Sequence, residues 1–333
     1  MKHANIAFFI PHIGCPNKCS FCNQNTISGK TEIPKAEDIK KVLSDVVAQM
    51  PKNKLEKSEI AFFGGSFTAI ERNYMIELLE AAAPFVGEGK ISGIRVSTRP
   101  DAIDEEVLFL LKKYGVTAIE LGAQSMQNDV LLKNMRGHTA EQVKKASILI
   151  KEYGFSLGLQ MMTGLYGDDD AGAIETARQI ISLKPDTVRI YPTVVLKGTY
   201  LGELFKKGIY NPPDIEDTIS LCAELLDMFE DNKIRVIRVG LHDQPEIKES
   251  FLSGAYDPAL GELIIGERLY RKVMKMLSDN NISKGDITIC VNPCMISQMV
   301  GQKKRNILKF KDEGFTVTVK ADEGLINGEI KLI

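Results

Sequence analysis

Apolar and polar positions alternate in two rhythms over the first 190 or so residues. Short runs rich in β-branched and aromatic residues are followed, repeatedly, by longer segments whose apolar residues return every three or four positions. Ile6–Ile10 reads as the first strand. Over Ala36–Met50, residues Ile39, Val42, Leu43, Val46, Val47 and Met50 fall on one face of a helix. Ile60–Phe63 is a second strand ending in Gly64-Gly65, with a helix over Tyr74–Ala83. Strand Ile94–Ser97, helix Asp104–Tyr114 closed by Gly115, and strand Val116–Leu121 follow. The next helix begins at Thr139, where Thr139-x-x-Gln142 fits a capping box. Ser156–Gln160, a helix around Ala173–Leu183, and Thr187–Tyr191 complete a sixth repeat.

Six β/α units in succession predict an α/β chain with a parallel sheet and helices outside. An open doubly wound sheet and a barrel both satisfy the pattern. In either, chemistry gathers at the carboxyl ends of the strands. Beyond Pro192 the rhythm loosens. Leu201–Lys207 is a short helix, Pro212-Pro213 breaks the chain before helix Asp214–Asp231, and Arg235–Leu241 is β-rich enough to add a strand at the barrel edge. Leu260–Leu277 is amphipathic. The last fifty residues predict strand Asp286–Val291, helix Pro293–Val300, a turn at Gly301-Gln302-Lys303-Lys304, helix Arg305–Glu313 and strand Phe315–Lys320.

Composition adds exclusions. A hydrophobic content of 44% and 26% charged residues are those of a globular chain with ample core. The net charge of -2 offers no global attraction to nucleic acid or membrane, so such binding would need a local patch. The N-terminal apolar run is too short for a signal peptide and stops at Pro11, and no stretch reaches the length of a membrane span. Six cysteines, three of them crowded, fit metal binding in a reducing cytoplasm better than a disulfide framework.

The crowded three are Cys15, Cys19 and Cys22, spaced C-x3-C-x2-C directly after the first strand. They cannot all pair with one another, but three sulfurs can turn onto one inorganic centre. Iron–sulfur clusters usually take four thiolates, so three local ones suggest a [4Fe–4S] cube with one iron left open. An open position is what separates a catalytic metal from a structural one. A zinc knuckle with His12 as fourth ligand is the competing reading.

Other chemistry recurs at the ends of the later strands. Gly64-Gly65 lets a backbone approach a ligand closely and offers amides and carbonyls to a zwitterion. Ser97-Thr98-Arg99 presents an arginine that could fork onto a carboxylate. Glu120, inside an apolar strand, is costly to bury unless something polar meets it. Gln124, Gln160 and Arg189 extend the series. His242 reads as a hydrogen-bonded structural histidine, and Cys290 and Cys294 as buried core thiols.

The cysteine spacing, with Phe21 just before the third cysteine, resembles the signature of the radical S-adenosylmethionine (radical SAM) enzymes. That resemblance implies a (β/α)6 partial TIM barrel and a [4Fe–4S] cluster on Cys15, Cys19 and Cys22. It also implies SAM on the open iron with Phe21 near its adenine, cleavage of SAM to a 5′-deoxyadenosyl radical, and a reductase such as flavodoxin or ferredoxin as electron donor. The blocks GGSFTA, STRPD, ELGAQS, RGHT, MMTGL and RIYPT, in that order over roughly residues 5–205, further resemble the radical SAM half of Elongator protein 3, which acts on the wobble uridine of transfer RNA. The resemblance implies SAM or substrate contacts among Gly64, Gly65, Ser97, Arg99, Gln160 and Arg189, with Glu120 and Gln124 as catalytic candidates. Two departures stand beside it. Elongator proteins have a longer gap between the first two cluster cysteines, and nothing after residue 205 is long enough for their acetyltransferase domain. The compact spacing and FIPHIGCPNKCSFC are also similar to the oxygen-independent coproporphyrinogen dehydrogenases.

The C-terminal helix–Gly-x-x-x–helix unit resembles a KH domain, although Lys304 replaces its last loop glycine. Lys303, Lys304, Arg305, Lys309 and Lys311 form a basic run without an acidic residue, suited to phosphates of RNA. The expected organisation is a barrel core over 1–205, a barrel-completing extension over 206–282 and a KH-like module over 283–333. The expected function is radical SAM modification of RNA, with transfer RNA foremost. A radical SAM enzyme for a small molecule or tetrapyrrole, and a non-catalytic metal-stabilised RNA-binding protein, are the alternatives.

Overall fold

The computed structural model describes residues 4–10, 15, 18–23, 26, 33–326 and 328–333. Strands β1 (Ala4–Ile10), β2 (Ser58–Gly64), β3 (Gly93–Thr98), β4 (Val116–Gln124), β5 (Ser156–Thr163) and β6 (Thr187–Pro192) lie side by side in sequence order. All five pairings are parallel. A short β7 (Val194–Leu196) leaves the sheet, and β8 (Arg235–Val239) returns to it parallel to β6. The seven strands form an open, curled half-barrel with β1 and β8 at its edges. The strand residues explain this architecture: Ile60, Phe62, Ile94, Val96, Ile119, Leu121, Leu157, Leu159, Val188 and Ile190 are all sealed from solvent, which parallel strands covered by helices require.

The crossover helices begin where their caps predict. Thr139 and Gln142 make the reciprocal capping box ahead of Ala140–Glu152, and Asp104 accepts from the Val107 amide ahead of Glu105–Lys113. Three strands run further than their apolar stretches suggest: β4 to Gln124, β5 to Thr163 and β6 to Pro192. Glu120, Gln160 and Arg189 lie within these strands, as the apolar stretches around them predict. They stay in the sheet because they satisfy one another across it, so polarity did not end the pairing.

Outside the alternating pattern, β7 pairs antiparallel with the distant β9 (Phe251–Gly254) in a small two-stranded sheet. The C-terminal region forms its own sheet. Strand β10 (Gly285–Val291) pairs parallel with β11 (Phe315–Ala321) and antiparallel with β12 (Ile330–Leu332), with helices Ile296–Val300 and Arg305–Asp312 between the first two. Its core gathers Ile289, Val291, Met299 and Phe310 against Val273 and Leu277. The helix Leu260–Asp279 serves both cores, since its first turns, Leu260, Leu263 and Ile264, pack on the barrel. Cys290 is buried in β10 as expected, but Cys294 is exposed. Pro293 opens a single 3-10 turn whose amide at Cys294 is held by Asn292, and that turn directs the thiol outward.

Candidate functional site

The described residues of the cysteine loop, Cys15 and residues 18–23, lie beside the strand-end residues Gly64, Thr98 and Gln124. Cys15, Cys19 and Cys22 line one cavity of about 120 Å³ together with Gly64, Ser97 and Gln124. The loop is tied down from two sides. The Ser20 amide and hydroxyl donate to the Asn134 carbonyl and Oδ1 at 3.1 and 2.7 Å, and the Ser20 carbonyl accepts from the Leu201 amide at 2.8 Å. Ser20 is fully buried between them. Cys15 Sγ lies 3.8 Å from Ser66 Oγ, and Arg136 Nη1 donates to Cys19 Sγ at 2.9 Å. His12 lies outside the described residues. Among the described residues no three His, Cys, Asp or Glu side chains converge as the ligands of a single ion would. A cube is ligated at separate irons, so its thiolates stand further apart than those around one zinc.

Gly64 closes the floor beneath the loop. Its φ is +109°, and a Cβ there would meet the Ile10 carbonyl oxygen at 2.7 Å, so only glycine lets the ends of β1 and β2 come this close. The Gly65 amide donates to that same carbonyl at 2.8 Å, so it is engaged by the protein rather than offered to a zwitterion. Arg99 also has an internal partner. Its Nε and Nη2 fork onto Asp101 at 2.6 and 2.9 Å, and Nη2 reaches the Arg136 carbonyl at 2.8 Å, so the carboxylate it grips is its own neighbour's.

Glu120 is 1% exposed and meets donors on both oxygens. Arg189 bridges it through Nε at 2.7 Å and Nη2 at 3.0 Å, Gln160 Nε2 lies at 2.9 Å and Arg95 Nη1 at 3.3 Å. Arg95 in turn holds Glu59 at 2.7 Å. The chain Glu59–Arg95–Glu120–Arg189 thus runs across β2, β3, β4 and β6. Arg189 stacks its guanidinium over Phe63 at 5.3 Å.

Other groups in the cavity are short of partners. The Ser97 hydroxyl and Gln124 Oε1 are buried with no hydrogen bond. Gln124 also holds a left-handed backbone, φ 65°, where β4 slips register against β5. Strain and unpaired polar atoms at one residue commonly mark a ligand site. A second cavity, about 200 Å³, opens from the first past Phe21 and Cys22 and runs over Phe63 and Tyr191 to Leu241 and His242. His242 is exposed at its rim and has no hydrogen-bond partner among the described residues, contrary to a structural histidine. Burial of its ring and the nearby Arg238 and Arg189 hold its pKa below the usual imidazole range. His138 is a buried imidazole, its pKa pushed down to about 4 by burial and then by Arg136.

Sequence reading missed Arg95, Ser66, Asn134 and Arg136 as site residues. Arg136 stands in the RGHT block and Ser66 in GGSFTA, but neither residue type announces a thiolate partner. Between the two helices of the C-terminal region Lys303 and Lys304 are exposed and both left-handed, whereas Arg305 forks onto Glu216 and Lys309 pairs with Glu267. The basic run is therefore partly neutralised by acids that sequence places some 40 to 90 positions away.

Comparison with known proteins bears on the family and the fold. The sequence model of the Radical SAM superfamily matches residues 9–180, and that of the Radical_SAM C-terminal domain matches residues 185–271. An uncharacterized protein of Methanocaldococcus jannaschii is 31% identical over 228 residues, covering 65% of this chain and 69% of its own. The tRNA uridine(34) acetyltransferase of the same organism is 31% identical over 193 residues, 52% of this chain and 35% of that enzyme. Among solved structures, the archaeal Elongator protein 3 of Methanocaldococcus infernus superposes with a TM-score of 0.62 at 22% identity, over 85% of this chain and 65% of that one. The chain matches only about a third of the length of the acetyltransferase.

Proposed function

The chain belongs to the radical SAM superfamily, and from that premise we propose that it is a radical enzyme that modifies RNA, with transfer RNA the foremost substrate. The observation that carries this reading is the convergence of Cys15, Cys19 and Cys22 with unpartnered Ser97 and Gln124 at the mouth of the half-barrel. Those residues fit the family's cofactors: three thiolates suit a [4Fe–4S] cube, and buried polar atoms without partners suit a polar ligand beside it. When bound, the cluster supplies one electron that splits SAM into methionine and a 5′-deoxyadenosyl radical.

The protein's own contribution is binding and shielding. Cys15, Cys19 and Cys22 hold the cluster, with Ser20 and Asn134 fixing the loop that carries them. Ser97, Gln124 and Gln160 offer hydrogen bonds to SAM, and Phe21 gives its adenine an apolar face. Glu120, saturated by donors, orients Gln160 and Arg189 rather than exchanging protons itself. The aromatic second cavity excludes water from the reacting carbon.

RNA enters on three supports: the tRNA-modifying relative, the KH-like helix–loop–helix over 296–312, and exposed Lys303 and Lys304, with Arg305 shared with Glu216. Under this reading 1–205 is the catalytic core, 206–282 completes the barrel and 283–333 grips RNA. Protein reconstituted with iron and sulfide without oxygen should cleave SAM to methionine and 5′-deoxyadenosine when given dithionite; a fully loaded protein that leaves SAM intact would refute the chemistry. Nucleosides of transfer RNA from cells with and without this chain should differ in one modified base. Identical nucleoside profiles, with SAM cleavage intact, would move the substrate to a small molecule.

A further inference from the structure

Arg136 is buried, yet no carboxylate pairs with its guanidinium among the described residues. The nearby Asp101 is held by both forks of Arg99. Nη1 of Arg136 donates to Cys19 Sγ at 2.9 Å, Nη2 donates to the Gly122 carbonyl at 2.6 Å, and Nε is buried without any acceptor. The residue cannot easily swing away. Its amide is fixed to the Leu131 carbonyl at 3.0 Å, and its own carbonyl accepts from Arg99 Nη2 at 2.8 Å. One face of the guanidinium lies 6.0 Å from the Phe21 ring. A buried, hydrogen-bonded cation with no counter-charge is strongly unfavourable, so the fold implies an anion beside Cys19.

We propose that Arg136 is the built-in counter-charge of the iron–sulfur cluster and that its hydrogen bond to the Cys19 sulfur raises the cluster's reduction potential. The inference rests on the reading that Cys15, Cys19 and Cys22 hold a [4Fe–4S] cube. A cube bound by three thiolates is a net anion, and accepting one electron from a donor such as dithionite makes it more negative, with no bond made or broken. A fixed cation in a poorly solvated site stabilises the more negative state more strongly. Net charge and hydrogen bonds to the sulfurs are among the determinants of such potentials. Arg136 acts on the electron through the cysteine sulfur, so it is a positioning residue that touches neither substrate nor the reacting carbon. Arginine suits the place because one planar fork reaches Cys19 and Gly122 at once, which an ammonium on a flexible stem does not.

The test is an anaerobic redox titration of the reconstituted full chain, with the reduced cluster read by electron paramagnetic resonance and iron counted in each sample. Arg136→Gln should keep its iron while the ratio of reduced to oxidised cluster at a fixed potential falls about tenfold, a midpoint lower by about 59 mV for one electron. Arg136→Lys should fall less, because it keeps the charge and loses the fork. An Arg136→Gln protein with full iron and the wild-type midpoint overturns the proposal. Should the glutamine variant lose its iron, the lysine variant decides: a midpoint below wild type supports the assignment, and one at or above wild type overturns it. Wild-type protein that binds no iron would instead refute the functional reading itself, before any variant is made.

Discussion

Glu120 stays inside an apolar strand because three side chains, from β3, β5 and β6, donate to it. A carboxylate among apolar neighbours signals that a partner must exist, but nothing in the local pattern named Arg189, 69 positions away, or Arg95. Removing the charge leaves two buried arginines short of an acceptor, so Glu120→Gln should cost about 3–5 kcal/mol in chemical denaturation. A loss below about 1 kcal/mol, the range of an exposed pair, would mean that the network does not stabilise the sheet. His138 carries a pH dependence of its own. Its pKa is about 4 in the fold against 6.5 in the open chain, so the unfolded state takes up the proton first as pH falls. Its contribution is fully present above pH 6.5 and is lost toward pH 4, to the extent of roughly 3 kcal/mol. Asp168 works in the opposite sense. Burial pushes its carboxyl up to about 6 from 3.8, so its contribution is present below 3.8 and is lost as pH rises through 6. Urea midpoints between about pH 4 and 7 should therefore show His138→Gln losing less stability on acidification than wild type, and Asp168→Asn losing more. Parallel curves for all three proteins would contradict both assignments.

The strand–helix alternation was legible because period-two and period-3.6 patterns switch cleanly, and capping residues such as Asp104 and Thr139 mark the helix starts. The ends of β4, β5 and β6 were not fully legible, because Gly122–Gln124, Met161–Thr163 and Pro192 go on pairing past the stretches whose composition reads as strand. The β7–β9 pair escaped for a different reason: three- and four-residue strands carry too little periodicity. At the end of β2 the paired glycines are legible, but their cause differs from close approach to a ligand. Gly64 is needed for the contact between β1 and β2, and Gly65 is occupied by Ile10. Gly64→Ala combines a left-handed φ with a Cβ at 2.7 Å from a carbonyl, so thermal unfolding should show a loss of about 1–3 kcal/mol or more, with reduced iron loading. An alanine variant of wild-type stability would show that the two strand ends can part without consequence.

The helix Leu260–Asp279 joins the barrel core to the core of the C-terminal sheet, and among the described residues no helix is long and apolar enough to cross a membrane. The basic run near the C-terminus was legible as composition. Its pairing with Glu216 and Glu267 was not, because those acids come from helices packed only in three dimensions. That leaves Lys303 and Lys304 as the cations of the loop 301–304 best placed to meet phosphates. Reversing both to glutamate should weaken RNA binding across sequences and flatten its salt dependence by roughly one unit of slope for each phosphate no longer neutralised. Unchanged binding would remove RNA recognition from this loop. The chemistry at the barrel mouth turns on what the three cysteines hold. Mössbauer spectroscopy with iron and sulfide analysis of anaerobically reconstituted protein tests that most directly. A [4Fe–4S] site predicts about four irons and four sulfides per chain, in a cubane spectrum that Cys15→Ala, Cys19→Ala or Cys22→Ala abolishes. Zinc without iron or sulfide at those thiols would contradict it.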